Sequence, residues 1–283
     1  MPYAIPSAPG SAVSEITDLE RATGRAAPVL DVLTRLGFGA KGAVTILVGV
    51  LALRFAFHRG GDLTGQPGAV ESLLYQPLGR WILAVLALGL AAYALWMFVA
   101  AFVDPERKGE SLPGIAERLS FFATGVGYVL LAWTAFSLLL GRKDDGGLDL
   151  EGLVATLLTP HVGRFLVGLA GAIVMAAGVL QLRLGFTGRF RDSLRSGLSK
   201  LERLITGVSG VLGYVTLGTL SLIVGWSLVQ VAVEYDPSEA GGWAEALWLL
   251  SGLGRGRGLL AAVALGLVFY GLYFVLLVRY RKL

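Results

Sequence analysis

Six long apolar runs divide the chain into segments that fit a lipid bilayer and short polar segments between them. They cover Leu36–Phe57, Trp81–Val103, Leu119–Leu140, Phe165–Leu184, Leu204–Ala232 and Leu259–Val278. Each run can span the hydrocarbon core of a membrane, which takes about 20 helical residues. The runs lack the alternation of barrel strands, and only a helix satisfies its own backbone hydrogen bonds in lipid. The sequence therefore predicts an all-α polytopic membrane protein with six transmembrane helices.

Composition supports lipid as the main solvent of this chain. It is 55% hydrophobic and 16% charged, whereas about a quarter of the residues of a soluble domain are charged. The chain has no Cys, which excludes disulfides, thiolate metal sites and thiol redox catalysis. The first 31 residues lack the basic start and apolar stretch of a cleaved signal peptide. We expect the first apolar run to direct membrane insertion.

The basic residues are distributed unequally between the two sides of the six runs. If residues near a helix end are assigned to the nearer loop, 16 of the 24 Lys and Arg residues share the side of the two chain ends. Positive residues are retained in the cytoplasm, so this bias predicts cytoplasmic N- and C-termini in a bacterial inner membrane. The first 31 residues, 1–31, are then a cytoplasmic N-terminal segment.

Three tandem repeats of two helices account for the six runs. Gly42-Ala43-Val44, Gly127-Tyr128-Val129 and Gly213-Tyr214-Val215 are interpreted as equivalent sites in the odd-numbered helices, and each even-numbered helix begins with a Gly-Arg pair. The predicted repeats are 32–108, 116–190 and 202–283. Two crossings in each unit give every unit the same orientation, so the repeats should surround a pseudo-threefold axis along the membrane normal. Small residues, such as Gly207, Gly210 and Gly213 or Gly168, Ala172 and Ala176, should allow close helix contact.

Two polar segments are expected to lie at the membrane surface. Residues 12–35 form a weakly amphipathic stretch that is interpreted as a surface segment or as a solvated tail. The loop from Phe186 to Arg203 is basic and is expected to contact anionic lipid headgroups or to set the topology.

Several motifs resemble those of a bacterial integral membrane family known only as a domain of unknown function. They are L-G-F-G-A-K-G-A-V at Leu36–Val44, Q-P-L-G-R at Gln76–Arg80, and Y-A-L-W at Tyr93–Trp96 ahead of Asp104-Pro105. The similarity extends over nearly the whole chain from about Leu33. It implies three copies of a two-helix module and adds no activity. The proline-acid-x-x-base signature of mitochondrial carriers, which also have six spans, is missing.

The candidate binding residues are Arg80, Arg164 and Arg257, one from each Gly-Arg pair. They occupy equivalent positions at the external starts of helices two, four and six. If they face one axis, they form a basic ring that attracts anions, assisted by the positive ends of the helix dipoles. The alternative is that each arginine extends to the headgroups or pairs with a carboxylate.

Other polar and aromatic residues in the runs are expected to have structural roles. Lys41 and Arg54 lie near the ends of the first run and are predicted to anchor it at the interface, although Lys41 could also lie in a groove of the bundle. Most hydroxyl groups should bond helix carbonyls or neighbouring side chains. A belt at the membrane surface is predicted for the large aromatic residues Tyr93, Trp96, Tyr270 and Tyr273, with ligand stacking as the alternative.

Catalysis and cofactor binding have little support in the sequence. No Asp or Glu lies within a run, which weakens a proton- or cation-coupled pump. A metal site of His58, His161, Asp144, Asp145 or Asp149 matches no known zinc spacing. We therefore predict no enzyme activity, no metal and no cofactor.

Two functions stay open at this point. The first is a small-solute or anion conduit or facilitator, and the alternative is a non-catalytic structural or regulatory partner of another membrane complex. The expected partners are the lipid bilayer, anionic lipid headgroups and a membrane protein; nucleic acid is excluded.

Overall fold

The computed structural model describes residues 10–57, 63–103, 112–142, 161–194, 198–234, 242–252 and 256–280, and helices make up almost all of these ranges. The eight α-helices of these ranges are α1 Gly10–Ala56, α2 Gln66–Ser72, α3 Gly79–Phe102, α4 Leu112–Leu139, α5 His161–Thr187, α6 Lys200–Glu234, α7 Trp243–Gly252 and α8 Gly256–Tyr280. Two 3₁₀ segments, Leu73–Tyr75 and Arg189–Ser193, complete them, and the described ranges contain no strand. The all-α prediction is confirmed.

Six of these helices are long and apolar enough to cross a membrane. The spans are Val32–Ala56 in α1, Gly79–Phe102, Glu117–Leu139 in α4, Gly163–Thr187 in α5, Lys200–Glu234 and Gly256–Tyr280. This confirms the six predicted spans. Six crossings bring the start of α1 and the end of α8 to one side, which we call the terminal face; the opposite side is the distal face.

The first helix is longer than its membrane span. It begins at Gly10, so residues that were expected to form a separate surface segment continue directly into the first span. Pro28 lies inside this helix and has no N–H to donate to the preceding turn, so a bend is expected there. The helix is continuous across residue 31, where the N-terminal segment and the first repeat were predicted to meet.

Helices from different repeats form the most extensive contacts. The antiparallel pairs are α1 with α8, α3 with α4, and α5 with α6, and the intra-repeat pairs α1 with α3 and α6 with α8 join them. The three repeats thus surround the pseudo-threefold axis. Within the described residues, α4 and α5 form no interface of comparable extent. The circle of six spans is therefore open between the two helices of the second repeat.

Two short helices cover parts of the distal face. Helix α2 contacts α1 and α4, and α7 contacts α6 and α8. Each precedes the second membrane-spanning helix of its repeat, in the first and third repeats. The corresponding segment of the second repeat, 143–160, lies outside the described residues.

Glycines set the distance between the paired helices. A Cβ atom at Gly42 would lie 2.7 Å from the carbonyl oxygen of Gly271, and one at Gly271 would lie 2.6 Å from that of Gly42. Gly178 and Gly218 form the same reciprocal contact between α5 and α6, at 2.9 and 2.8 Å. Dispersion between closely packed backbones holds helices together in lipid, so these contacts explain why the pairs form.

The packing corrects the register that was assigned to the odd-numbered helices. A Cβ atom at Gly213 would meet Tyr270, just as one at Gly37 would meet Tyr93, whereas Gly127 has nothing within 4 Å. Gly213 therefore corresponds to Gly37, and Gly218 corresponds to Gly42. The equivalence of Gly42, Gly127 and Gly213 was wrong because a short match around one glycine fits several registers of a glycine-rich helix.

Candidate functional site

A lysine of the first span has its charge inside a group of aromatic rings. Lys41 Nζ lies 4.2 Å from the ring centroid of Phe274, 4.9 Å from that of Tyr93, 5.6 Å from that of Tyr128 and 5.9 Å from that of Tyr270. It also donates a hydrogen bond to the Tyr93 hydroxyl oxygen at 2.9 Å. We call these four residues the aromatic cage.

Four helices contribute to the aromatic cage and its lysine. Lys41 belongs to α1, Tyr93 to α3, Tyr128 to α4, and Tyr270 and Phe274 to α8. The rings also contact one another: the centroids of Tyr93 and Tyr128 are 4.5 Å apart, and those of Tyr270 and Phe274 are 4.9 Å apart. The cage therefore exists only in the assembled bundle.

Two glycines of α1 allow the cage to close around the lysine. A Cβ atom at Gly37 would lie 2.7 Å from the Cα atom of Tyr93, and Gly42 contacts the backbone of α8. Helices α3 and α8 can therefore approach α1 on both sides of Lys41. Any side chain at Gly37 would push Tyr93, the hydrogen-bond partner of the lysine, away.

The cage stabilises a positive charge without neutralising it. An ammonium ion within about 6 Å of a ring face is attracted by the ring quadrupole, and the attraction reaches about 2 kcal/mol or more in a desolvated site. None of the six predicted runs contains Asp or Glu, so the spans supply no carboxylate at this depth. The ammonium has three N–H donors, and one of them is directed to Tyr93.

These contacts correct two predictions. Lys41 was expected to anchor α1 at the interface, but its ammonium lies among rings inside the bundle. The predicted aromatic belt was also wrong, because Tyr93, Trp96, Tyr270 and Tyr273 are all buried. Arg54, in contrast, is exposed near the end of α1, as an interfacial anchor would be.

Tyr128 and Phe274 were not predicted as members of the site. Tyr270 and Phe274 are four residues apart, so they share one face of α8, and that spacing was a usable signal. Tyr128 had been noted only as a marker of the repeats. Its approach to Lys41 depends on the contact between α3 and α4, which no local pattern reveals.

The arginines of the Gly-Arg pairs lie at the distal face, and two of them bind helix ends. Arg80 Nη2 donates to the carbonyl oxygen of Leu139 at 3.0 Å, and Arg164 Nε donates to that of Ala232 at 2.6 Å. Arg257 is exposed at the start of α8. Arg80 and Arg164 thus lie at two different interfaces, α3 with α4 and α5 with α6. Each stabilises the negative end of a helix dipole in the next repeat.

Arginines at the terminal face make the same kind of contact in the opposite direction. Arg35 Nη1 donates to the carbonyl oxygen of Val278 at 3.0 Å, and Arg118 Nε donates to that of Ala101 at 2.7 Å. The pair of α3 and α4 therefore has an arginine contact at both ends, from Arg80 and Arg118. These residues connect neighbouring repeats.

Most of the described hydroxyl groups of the spans follow the prediction. Thr45, Thr134 and Thr219 each donate to the carbonyl oxygen four residues earlier, and Ser221 donates to Gln181. The hydroxyls of Ser137 and Ser209 are buried and have no hydrogen-bond partner. Neither is near enough to the cage residues to form a hydrogen bond with them.

The side chains that were considered for a metal site all belong to parts of the chain that the structure does not describe. His58, Asp144, Asp145 and Asp149 lie outside the described residues, as does the side chain of His161. Within the ranges that the structure covers, no group of three His, Cys, Asp or Glu residues could hold a metal ion.

These features define a class of protein: a multi-pass helical membrane protein built from three two-helix repeats around a caged lysine. The chain belongs to the family described as Domain of Unknown Function (DUF1206), which matches it three times, at residues 36–104, 119–188 and 212–281. The first and third matches start at residues 36 and 212, and this separation in the sequence equals that between Gly37 and Gly213. The family matches therefore agree with the register that the helix packing indicates.

A relative in Bacillus subtilis (strain 168), described as uncharacterized protein YxxB, is 31% identical over 243 residues. The similarity covers 86% of this chain and 88% of the relative. No solved structure matches the chain significantly.

Proposed function

We propose that this protein is a non-enzymatic conduit or facilitator for a small anion in the bacterial cytoplasmic membrane, with both chain ends in the cytoplasm. The observation that carries the proposal is the caged ammonium of Lys41. The orientation rests on the 16 of 24 basic residues assigned to the terminal face.

An intramembrane ionisable residue is expensive and is by default a sign of a pathway or a binding site. Lys41 is stabilised by ring quadrupoles, and no acid of the spans neutralises it. An anion about 4 Å from the ammonium would gain about 4 kcal/mol at an effective dielectric constant near 20. This gain offsets part of the cost of removing the anion from water, while a cation would be repelled by the same amount.

The geometry of Lys41 also supports a transient binding site. Among the described residues, one donor of the ammonium is directed to a protein oxygen, so the other two can turn to an anion without breaking a salt bridge. A site that holds its ion weakly allows the ion to leave again, which conduction requires.

The alternative is a non-catalytic partner of another membrane complex. It draws support from α5, which has the smallest buried share of the six spans and no extensive contact with α4 in the described residues. Lipid covers such a face as well as a protein does, so we place this function second.

Chloride flux into liposomes containing the purified protein tests the proposal. The informative variants are Lys41→Met, which removes the charge, and Lys41→Arg, which retains it. Lys41→Met should reduce the flux at least tenfold, because a factor of ten in rate corresponds to only about 1.4 kcal/mol. Lys41→Arg should retain part of the flux.

Arg54→Gln is the matched control, because it removes a charge from the same helix at an exposed position outside the cage. It should leave the flux near the wild-type value. The triple variant Arg80→Ala, Arg164→Ala and Arg257→Ala measures whether the external arginines contribute. Wild-type flux no higher than that of empty liposomes would refute the conduit and favour the partner function.

A further inference from the structure

A basic groove lies at the terminal face, beside the start of α6. Arg191, Leu198, Lys200, Arg203, Leu204 and Val208 line it, and its volume is about 510 Å³. Three of these six side chains are cationic and the other three are aliphatic. We call this cavity the basic groove; it is separate from the aromatic cage and uses none of its residues.

Glu202, the acid nearest in the sequence to Lys200 and Arg203, is bound elsewhere than in the basic groove. Glu202 Oε1 accepts a hydrogen bond from the Tyr280 hydroxyl at 2.8 Å, and Oε2 accepts one from the Ser199 backbone N–H at 2.9 Å. Among the described residues, Arg191, Lys200 and Arg203 donate no side-chain hydrogen bond to the protein. Arg191 Cζ lies 5.7 Å from the ring centroid of Phe190, and a contact of this kind uses none of the N–H donors.

The turn that follows α5 places Arg191 against α6. Gly188 has a φ of 69°, in the left-handed region that favours glycine, and begins the 3₁₀ segment. Phe190 packs on the Tyr214 ring with centroids 5.4 Å apart, which fixes the segment to α6. A Cβ atom at Gly207 would lie 3.0 Å from Arg191 Nη2, so this glycine leaves room for the guanidinium.

Polarity changes along the wall that α6 contributes. Lys200 and Arg203 lie in the first turn, whereas Leu204 and Val208 follow toward the membrane interior and are 62% and 43% exposed. At a rise of 1.5 Å per residue, Val208 lies about 12 Å beyond Lys200 along the axis. Cations at the surface with an exposed aliphatic wall beneath them match the boundary between phospholipid headgroups and acyl chains.

We propose that the basic groove binds an anionic phospholipid of the leaflet at the terminal face. Arg191, Lys200 and Arg203 hold its phosphate, and an acyl chain lies along Leu204 and Val208. The N-terminal end of α6 adds the positive end of the helix dipole to the phosphate site. The aliphatic wall distinguishes this ligand from a soluble phosphate, which would leave Leu204 and Val208 uncovered.

Native mass spectrometry of the full-length protein in detergent tests this site, with phosphatidylglycerol and phosphatidylcholine as the titrated lipids. The wild type should retain phosphatidylglycerol preferentially. The triple variant Arg191→Gln, Lys200→Gln and Arg203→Gln should bind it on the order of 100-fold more weakly. The reason is that each basic residue near an anionic lipid surface contributes about 1 kcal/mol.

The matched control removes three charges from the same face outside the groove: Arg183→Gln, Arg189→Gln and Arg279→Gln, all exposed. It should bind phosphatidylglycerol like the wild type. Equal weakening of both triple variants would overturn the proposal, because it would indicate nonspecific attraction to the surface charge. Loss of Lys200 and Arg203 should not unfold the protein, since cations are unfavourable at a helix N-terminus, and circular dichroism verifies this.

Further experiments distinguish a phospholipid from a soluble phosphate as the ligand. Leu204→Ala with Val208→Ala should weaken phosphatidylglycerol binding about tenfold through lost apolar contact, and leave the affinity for glycerol phosphate unchanged. Charge-retaining Arg191→Lys with Arg203→Lys should restore most of the lipid binding that the glutamine variants lose. Displacement of the lipid by glycerol phosphate or inorganic phosphate at equal concentration would overturn the lipid assignment.

Discussion

Replacing Gly218 with valine should weaken the contact between α5 and α6. A Cβ atom at this position would lie 2.8 Å from the carbonyl oxygen of Gly178 and 2.8 Å from Leu182 Cγ. The first neighbour is backbone inside a helix, so it cannot rotate away, and the two helices must separate. Inserting methyl groups into a packed interface costs about 1–3 kcal/mol, and we expect the upper end because valine adds three carbons.

Helix α5 depends strongly on this contact, because α6 is the span against which it packs extensively. Thermal unfolding of the purified protein in detergent, followed by circular dichroism, measures the loss of stability. Gly178→Val should produce a similar loss, because the reciprocal contact is 2.9 Å. The two losses should not add in the double variant, since one separation of the helices relieves both contacts.

Gly127→Val provides the matched control. It places the same side chain in a helix where nothing lies within 4 Å of the new Cβ atom, so the change in helix propensity from glycine to valine is the same in both variants. The difference between the two variants therefore measures the interface alone. A Gly218→Val protein as stable as wild type, or a Gly127→Val protein destabilised equally, would refute the glycine-contact explanation.

Three further outcomes follow from the structure. Tyr93→Phe removes the hydroxyl that accepts the Lys41 hydrogen bond and should cost about 1.5–3 kcal/mol of unfolding free energy by the same assay, whereas Tyr270→Phe retains the cage ring and should cost less. Ser199→Ala removes the hydroxyl that caps the Glu202 N–H at the start of α6 and should cost about 1 kcal/mol. Because the chain lacks Cys, single substitutions report topology: Arg257→Cys should react with an impermeant thiol reagent on intact cells, and Arg279→Cys only after permeabilisation.

The spans and the repeats were predictable because they depend on local properties of the sequence. A run of about 20 apolar residues has one stable arrangement in lipid, whatever surrounds it. The Gly-Arg pairs also marked helix starts correctly, since α3 begins at Gly79 and α8 at Gly256. The register of the odd-numbered helices was not predictable in this way, because it is decided by which glycine meets which neighbouring helix.

The aromatic cage could not be predicted from the sequence. A lysine near a helix end extends to the interface by default, and its true environment depends on which face of α1 turns toward α3 and α8. The rings around Lys41 come from three other helices, and the nearest in sequence is Tyr93. No pattern within α1 distinguishes a caged lysine from an anchor.

The arginines of the distal face illustrate a related limit of sequence-based prediction. Their equivalent positions in the repeats were visible in the sequence, but the acceptors of Arg80 and Arg164 lie in the following repeat. A basic ring and a set of helix-end contacts have the same sequence signature. The positions of the neighbouring helix ends are needed to distinguish the two arrangements.

Charge selectivity tests the central claim most directly. Chloride and potassium fluxes are measured in the same liposomes, for the wild type and for Lys41→Met. A fixed positive charge in the pathway predicts chloride flux well above potassium flux in the wild type, and the loss of this preference when Lys41 is replaced. Potassium flux equal to or above chloride flux, or a preference that survives Lys41→Met, would contradict the assignment of Lys41 as the anion site.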